Sequence, residues 1–477
     1  MTELHELTAV EQRELLHTGE LTAVELADHY LARIAARNDE LRAFVVVTGA
    51  DARARAARLD DGHDRGRHDA PLRGLPFGDK DLVDRAGVPS GYGSLAMTGH
   101  VPEVSSPLVA TMDAAGGVSL GKTNTPEFGF PSYTENLLPG GVARNPWDTD
   151  LGPGGSSGGA AVAVAAGLLP FAPGSDGGGS IRIPAAACGL VGLKPSRGRV
   201  PDGSGIDALG GLTVAGPIAR TVADAALLLD GMIARGPGGR PADRHALTAP
   251  GGEASYLDAL QRDVRPLRIG WNTWSPWATH YGIELDAEAE AVLHDTLKLA
   301  GRLGHRVVEL APSPFPEYFD AFREVWMGGA ASLPLDDEAL ERVEPLTAWL
   351  VRTGRERGAG RLAAALATLA RFERSIIADY AEVDVVLTPA LAMPPRPIGW
   401  YDAEDGERNF EQQCRYTPYT SYVNVAGLPA IAMPVAAHPL PFGVQAIGRP
   451  GDEITLLRLA AQLERELDWS AKLPFAR

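Results

Sequence analysis

Cysteine is scarce in this chain. Of 477 residues only Cys188 and Cys414 are cysteines, too few for a disulfide framework, and the expectation is two buried free thiols in a reducing compartment. Basic charge is short as well. Forty-four Lys and Arg against 61 Asp and Glu leave a formal −17, which repels nucleic acid and anionic lipid unless a basic face is gathered somewhere. The densest basic stretch, Arg53 to Arg67, is interleaved with three Asp and reads as a solvated helix or loop. Long apolar runs are missing too: the stretch Ala160 to Pro173 is 14 residues and broken by Gly167 and Pro170, short of the ~18 to 20 that span a membrane. The opening MTELHELTAVEQRELLHTGE has no apolar signal-peptide core. A cytoplasmic protein with no nucleic-acid and no membrane partner is expected. None of the 11 histidines forms an HExxH pair or a Cys/His cluster, so metal hydrolysis has no ligand set; no organic cofactor is expected either.

What is present is a globular composition, 45% hydrophobic and 22% charged, with 55 Gly and 37 Pro marking many turns. At roughly 150 residues per domain the length allows three domains, or one large α/β domain. Apolar spacing from Leu7 to Arg42 predicts two amphipathic helices joined near Gly19, with Thr22 capping the second, then a strand at Ala43 to Val47. Leu75 to Val83, which contains Lys80, reads as a strand and its exit, and Gly117 to Leu120 as another strand. Between Asn136 and Gly216 the pattern is loop, helix (Ala160 to Leu168), loop, helix (Ile181 to Ala187). Downstream, helices are expected at Ala223 to Ala234, Ala287 to Leu303, Leu335 to Leu350, Arg361 to Tyr380 and Ile454 to Leu467. Strands are expected at Leu267 to Gly270, Arg306 to Leu310 and Val383 to Thr388. This alternation argues α/β with a mixed or parallel sheet. The best candidate boundary, Gly236 to Gly252, reads as a loop inside one domain.

Three local patterns compete for the chemistry. Gly116 to Thr123, GGVSLGKT, has P-loop spacing, but Val118 and Leu120 look like the strand itself and Pro126 closes the segment, where a P-loop needs a helix. Gly154 to Gly158, GGSSG, fits a nucleophile elbow on Ser156. An elbow needs a strand before it, which Pro146 and Pro153 forbid, and a distant His, for which His438 is the one candidate in an apolar setting.

The third pattern joins Lys80, the GGSSGG run Gly154 to Gly159, and GSDGGGSIR from Gly174 to Arg182. With the continuation IRIPAAACGLVGLKPSRG, it resembles the amidase signature family of serine hydrolases. The match is densest from Leu72 to Pro217 and looser in LTPA from Leu387, SYVNVAGLPAIAMP from Ser421 and PFGVQAIG from Pro441. The resemblance implies one large α/β domain over residues 1–477, with a mixed sheet of about eleven strands flanked by helices. Within it lie an N-terminal helical segment (1–70), a core (72–217) and a variable region (236–400) that shapes the substrate pocket.

The residues themselves point the same way. A serine hydroxyl is a poor nucleophile unless a base takes its proton, and without a suitable His that base is a lysine made neutral. Moving a Lys from about 10.4 to about 7 takes roughly 4 kcal/mol, which burial can supply. Asp79 and Asp81 would push the other way, so in an extended segment both must turn from Lys80 to the opposite face and bond elsewhere. Gly177, Gly178 and Gly179 before Ser180 leave backbone N–H groups open to an oxyanion, with the dipole of the following helix behind them. The resemblance places nucleophilic attack on Ser180, the bridging proton relay on Ser156 behind a cis Gly155–Ser156 peptide, and support on Ser157. Asp176 and Arg182 read as residues that shape the loop.

Two departures from the family pattern stand out. Gly177 occupies a position where a bulkier residue is common, which widens the acyl pocket or loosens the oxyanion loop. Asp79 stands where an apolar residue is frequent. Phe128, Tyr133, Trp274, Trp277 and Trp326 are candidate pocket aromatics, whereas Asn424 and Gln445 read as structural. The implied activity is hydrolysis of a small-molecule amide through an acyl-enzyme. Alternatives are a carbamate, ester or nylon-oligomer hydrolase using the same triad, or the glutamine-hydrolysing component of a tRNA-dependent amidotransferase; a homodimer is left open.

Overall fold

The computed structural model describes residues 3–62, 70–200, 209–233, 247, 255–437, 439–469, 473 and 474. The candidate boundary at Gly236 to Gly252 therefore lies outside the described residues except for Leu247, and so does His438. Eleven strands occur among the described residues, divided between two sheets. The small sheet has the order β1 (Phe44–Val47), β3 (Val118–Thr123), β2 (Pro76–Lys80), with β1 antiparallel and β2 parallel to β3. The large sheet holds β4 (Phe171–Asp176), β5 (Val191–Lys194), β6 (Val214–Ala219), β7 (Arg268–Trp271), β8 (Arg306–Glu309), β9 (Val385–Pro389), β10 (Ala430–Ala437) and β11 (Pro441–Gly448). Its order is β4-β6-β5-β10-β11-β9-β7-β8. The β4 to β9 end pairs antiparallel, and β9, β7 and β8 run parallel, so the sheet is mixed. Strand β2 lies against β4, which brings the two sheets together.

The N-terminal helices Ala9–Thr18 and Ala23–Leu41 both begin with a capping box, on Thr8 and Thr22, and Gly19 ends the first in the left-handed region. The helix Gly158–Ala165 is buried on every side. Its Gly, Ala and Val side chains are small enough for it to sit against both sheets, which it does. Val118 to Thr123 of the GGVSLGKT motif form β3, and Lys122 is fully buried, so the P-loop geometry is absent. No helix among the described residues is long and apolar enough to cross a membrane.

Some elements depart from the sequence pattern. The expected helix Leu335 to Leu350 is two helices, Asp337–Leu340 and Pro345–Arg355, because Pro345 starts a new first turn. Strands β4 and β6 are hidden in the sequence by their Pro-Gly content, which reads as turn. In the sheet these pairs face each other, Pro173 opposite Pro217 and Gly174 opposite Gly216.

Candidate active site

Lys80 ends β2, only 2% exposed. Its Nζ donates to Ser156 Oγ at 2.8 Å, Ser175 Oγ at 3.0 Å and Ser175 O at 3.3 Å. Burial lowers its pKa to about 7, against the opposing pull of Asp176. An amine lowered that far can give up its proton near neutral pH.

Ser156 sits in the loop before the helix Gly158–Ala165, after a cis Gly155–Ser156 peptide. Its carbonyl accepts from Thr125 Oγ1 at 3.1 Å. Residue 155 must be glycine because a Cβ there would lie 2.5 Å from Tyr133 O. No strand leads into this loop, so the elbow geometry is absent. Ser157 Oγ donates to Ser175 O (3.2 Å) and accepts from Ser175 N (3.3 Å), fastening the loop to β4. Ser157 N donates to Ser180 O at 3.1 Å. The two loops thus meet through their backbones, and Ser180 and Ser156 both line one cavity.

The glycine loop 177–179 is held from beneath by a fully buried carboxylate. Asp176 Oδ1 accepts from Gly179 N (2.7 Å), Arg182 Nη2 (2.9 Å) and Asn424 Nδ2 (2.9 Å). Its Oδ2 accepts from Ile181 N (3.1 Å) and Arg182 Nε (2.9 Å). Burial alone would raise this carboxyl, but Arg182, Lys194 and Asn424 hold it well below the usual carboxylate range. Arg182 extends to Thr420 O, Gln445 Oε1 and Asn424 Oδ1, and Thr420 Oγ1 donates to Gly178 O at 2.6 Å. Gly179 has φ +133, and a Cβ there would collide with Thr420. The Gly179 N–H is committed to Asp176, whereas those of Gly177, Gly178 and Ser180 have no acceptor among the described residues. Asp176→Asn leaves Arg182 buried with a weakened partner and is expected to cost about 3 to 5 kcal/mol, read as a large fall in melting temperature.

A cavity of about 770 Å³ opens over Lys80, Ser156, Ser175, Gly177 and Ser180. Its walls include Phe128, Phe130, Tyr92, Trp326, Leu212 and Leu333. Trp326 stacks on Phe322 (5.5 Å) and meets Phe130 edge-on (5.9 Å). A Cβ on Gly177 would lie 3.1 Å from Thr213 Oγ1 and 3.5 Å from the Trp326 ring, so a side chain there would sit against both. A recess of about 50 Å³ on the other side of Ser180 is lined by Gly178, Trp277 and Phe322.

Of the expected pocket aromatics, Phe128 and Trp326 line the large cavity and Trp277 the recess. Tyr133 does not belong to the pocket. It stacks on Tyr401 at 4.0 Å and its hydroxyl accepts from Asn409, a packing role under the Ser156 loop. Trp274 packs against Phe372 and Tyr422.

Sequence reasoning missed Ser175, although it lies within the GSDGGGS run, and it missed the cations that answer the two aspartates beside Lys80. Asp79 accepts from Arg85 Nε (2.7 Å) and Ser119 Oγ (2.7 Å). Asp81 pairs with Lys122 (3.4 Å) and accepts from Gly91 N (3.0 Å).

An α/β fold of two joined sheets, with a buried lysine bonded to serine beside a glycine loop and a second serine, is the architecture of hydrolases that act on linear amide C–N bonds. The chain belongs to the Amidase family, whose model matches residues 25–457. It is 39% identical over 479 residues to a Mycobacterium tuberculosis protein named "Putative amidase AmiB2", covering 99% of each chain. It is 35% identical over 504 residues to a glutamyl-tRNA(Gln) amidotransferase component, the A-type subunit, of Chloroflexus aggregans, again covering 99% of each. Among solved structures, a 6-aminohexanoate cyclic dimer hydrolase complexed with substrate superposes with a TM-score of 0.88 at 29% identity, over 100% of both chains.

Proposed function

We propose that this chain is a free-standing amidase in which Ser180 attacks the amide carbonyl, with Ser156 and neutral Lys80 moving the proton. Lys80 Nζ takes the Ser156 proton as Ser156 takes that of Ser180, and the same path returns a proton to the departing amine. Water then cleaves the acyl-enzyme by the reverse relay. The developing oxyanion is received by the N–H groups of Gly177, Gly178 and Ser180, while Gly179, whose N–H is bonded to Asp176, fixes the loop's shape. The observation that carries this reading is the 2.8 Å contact between a buried lysine and Ser156 inside the cavity that Ser180 faces. Ser157, Asp176 and Arg182 support the two loops. The core 72–217 supplies the reacting groups, while Val325, Trp326 and Leu333 from the variable region 236–400 complete the wall. Both cysteines are buried and unpaired, which supports a cytoplasmic setting.

The wall also speaks for the substrate. Among the described lining residues Lys80 is the only cation, and the remainder of the charge is Asp79 and Asp84. A bulky, uncharged amide suits such a surface, whereas a free carboxylate finds no partner. The likeness to the amidotransferase component favours glutamine as a second reading. Rates on matched amide, carbamate and ester substrates, and on glutamine, with the protein alone, separate them. Hydrolysis of an apolar amide at least about 100-fold faster than of glutamine is expected. Glutamine preference, or activity only with a partner protein, contradicts the reading.

A further inference from the structure

Lys80 is flanked in sequence by two carboxylates, and its work as a base, on the reading above, depends on neither of them acting on it. Asp79 is 2% exposed, so water screens it poorly. We infer that Arg85 is a positioning residue for the reaction: by binding the carboxylate of Asp79 it cancels a negative charge that would otherwise keep Lys80 protonated.

The geometry is specific. Arg85 approaches Asp79 with two groups, Nε to Oδ2 at 2.7 Å and Nη2 to Oδ1 at 3.3 Å, and Ser119 Oγ from β3 donates to Oδ2 at 2.7 Å. The guanidinium is itself fixed by Asp113 of the helix Pro107–Ala114, through Nη1 at 2.9 Å and Nη2 at 3.2 Å. It also lies over the Phe77 ring at 5.9 Å. Asp79 is thereby held on the face of β2 away from Lys80 Nζ. The other charges around the base are answered in the same manner: Asp81 by Lys122 of β3, and Asp176 of β4 by Arg182. Asp84, on the segment leaving β2, accepts from Tyr92 Oη at 2.8 Å. Arg85 thus answers two carboxylates, Asp79 and Asp113, and removing it leaves the buried Asp79 carboxylate without its cation.

The test is the pH dependence of kcat/KM between pH 5 and 10. In Arg85→Met the acidic limb is expected to move up by about one unit, so that activity falls about fivefold at pH 7 and returns near pH 10. In Asp79→Asn, where Arg85 keeps Asp113 but one negative charge is gone, the limb moves down. The double variant Asp79→Asn/Arg85→Met brings it back towards the wild-type position. A purely structural salt bridge would lower the melting temperature and scale the whole profile without moving the limb, and that result overturns the inference. Should Arg85→Met fail to fold, an unmoved limb in Asp79→Asn overturns it equally. The proposed reaction fails separately, if the wild-type limb survives in Lys80→Met.

Discussion

Ser180→Ala is expected to lower kcat/KM by on the order of 10,000-fold or more while the protein stays folded. The missing atom is the nucleophile, and what survives is only the contribution of the loop N–H groups and of substrate binding. Ser180 packs at a loop edge facing the cavity, so the loss of one oxygen removes no support from the core. The same variant should lose covalent labelling by a fluorophosphonate probe. Ser180→Ala retaining more than a tenth of wild-type activity would return the attack to Ser156, and strong dependence on His438 would revive the elbow mechanism.

Lys80→Met should be nearly as damaging, on the order of 1,000-fold or more, and it should fold, because the site already shelters a long apolar stem and an amine that has given up much of its charge. Two further substitutions sharpen the test. Lys80→Arg keeps a permanent cation in the same space and is not expected to restore turnover, since a guanidinium cannot take a proton. Ser156→Ala removes the acceptor of the 2.8 Å bond and should fall in the same range. A Lys80→Arg variant of near wild-type activity would show that positive charge, not basicity, is what position 80 provides.

Much of the site is legible in the sequence, for physical reasons that differ from element to element. In an extended segment Asp79 and Asp81 can both turn from Lys80, and the two aspartates do bond elsewhere, to Arg85 and Lys122. What alternation cannot give is the partner. Arg85 lies six residues on, beyond a turn, and Lys122 belongs to another strand whose register is set by the sheet. The all-round burial of Gly158–Ala165 follows from its Gly, Ala and Val content.

By contrast, the helix Tyr318–Ala331, which carries Trp326 to the cavity wall, is not evident from the sequence. Its Gly328 and Gly329 lower helix propensity and blur the pattern. Tyr133 is misplaced by sequence reasoning because an aromatic near a reacting loop packs under it as readily as it faces the substrate. Only the stacking on Tyr401, remote in sequence, decides which. Strands β4 and β6 show the same limit, since a Pro-Gly pair reads as a turn until the partner strand supplies a matching pair.

The account stands on an amine at residue 80 that is free of its proton near neutrality. Labelling of Ser180 by a fluorophosphonate probe needs that base but no substrate binding, so its rate should be recorded from pH 5 to pH 10. A rise through a midpoint near 7, flat above it and absent in Lys80→Met, is the predicted result. A midpoint near that of an ordinary lysine, or a rate that does not change with pH, would contradict the account.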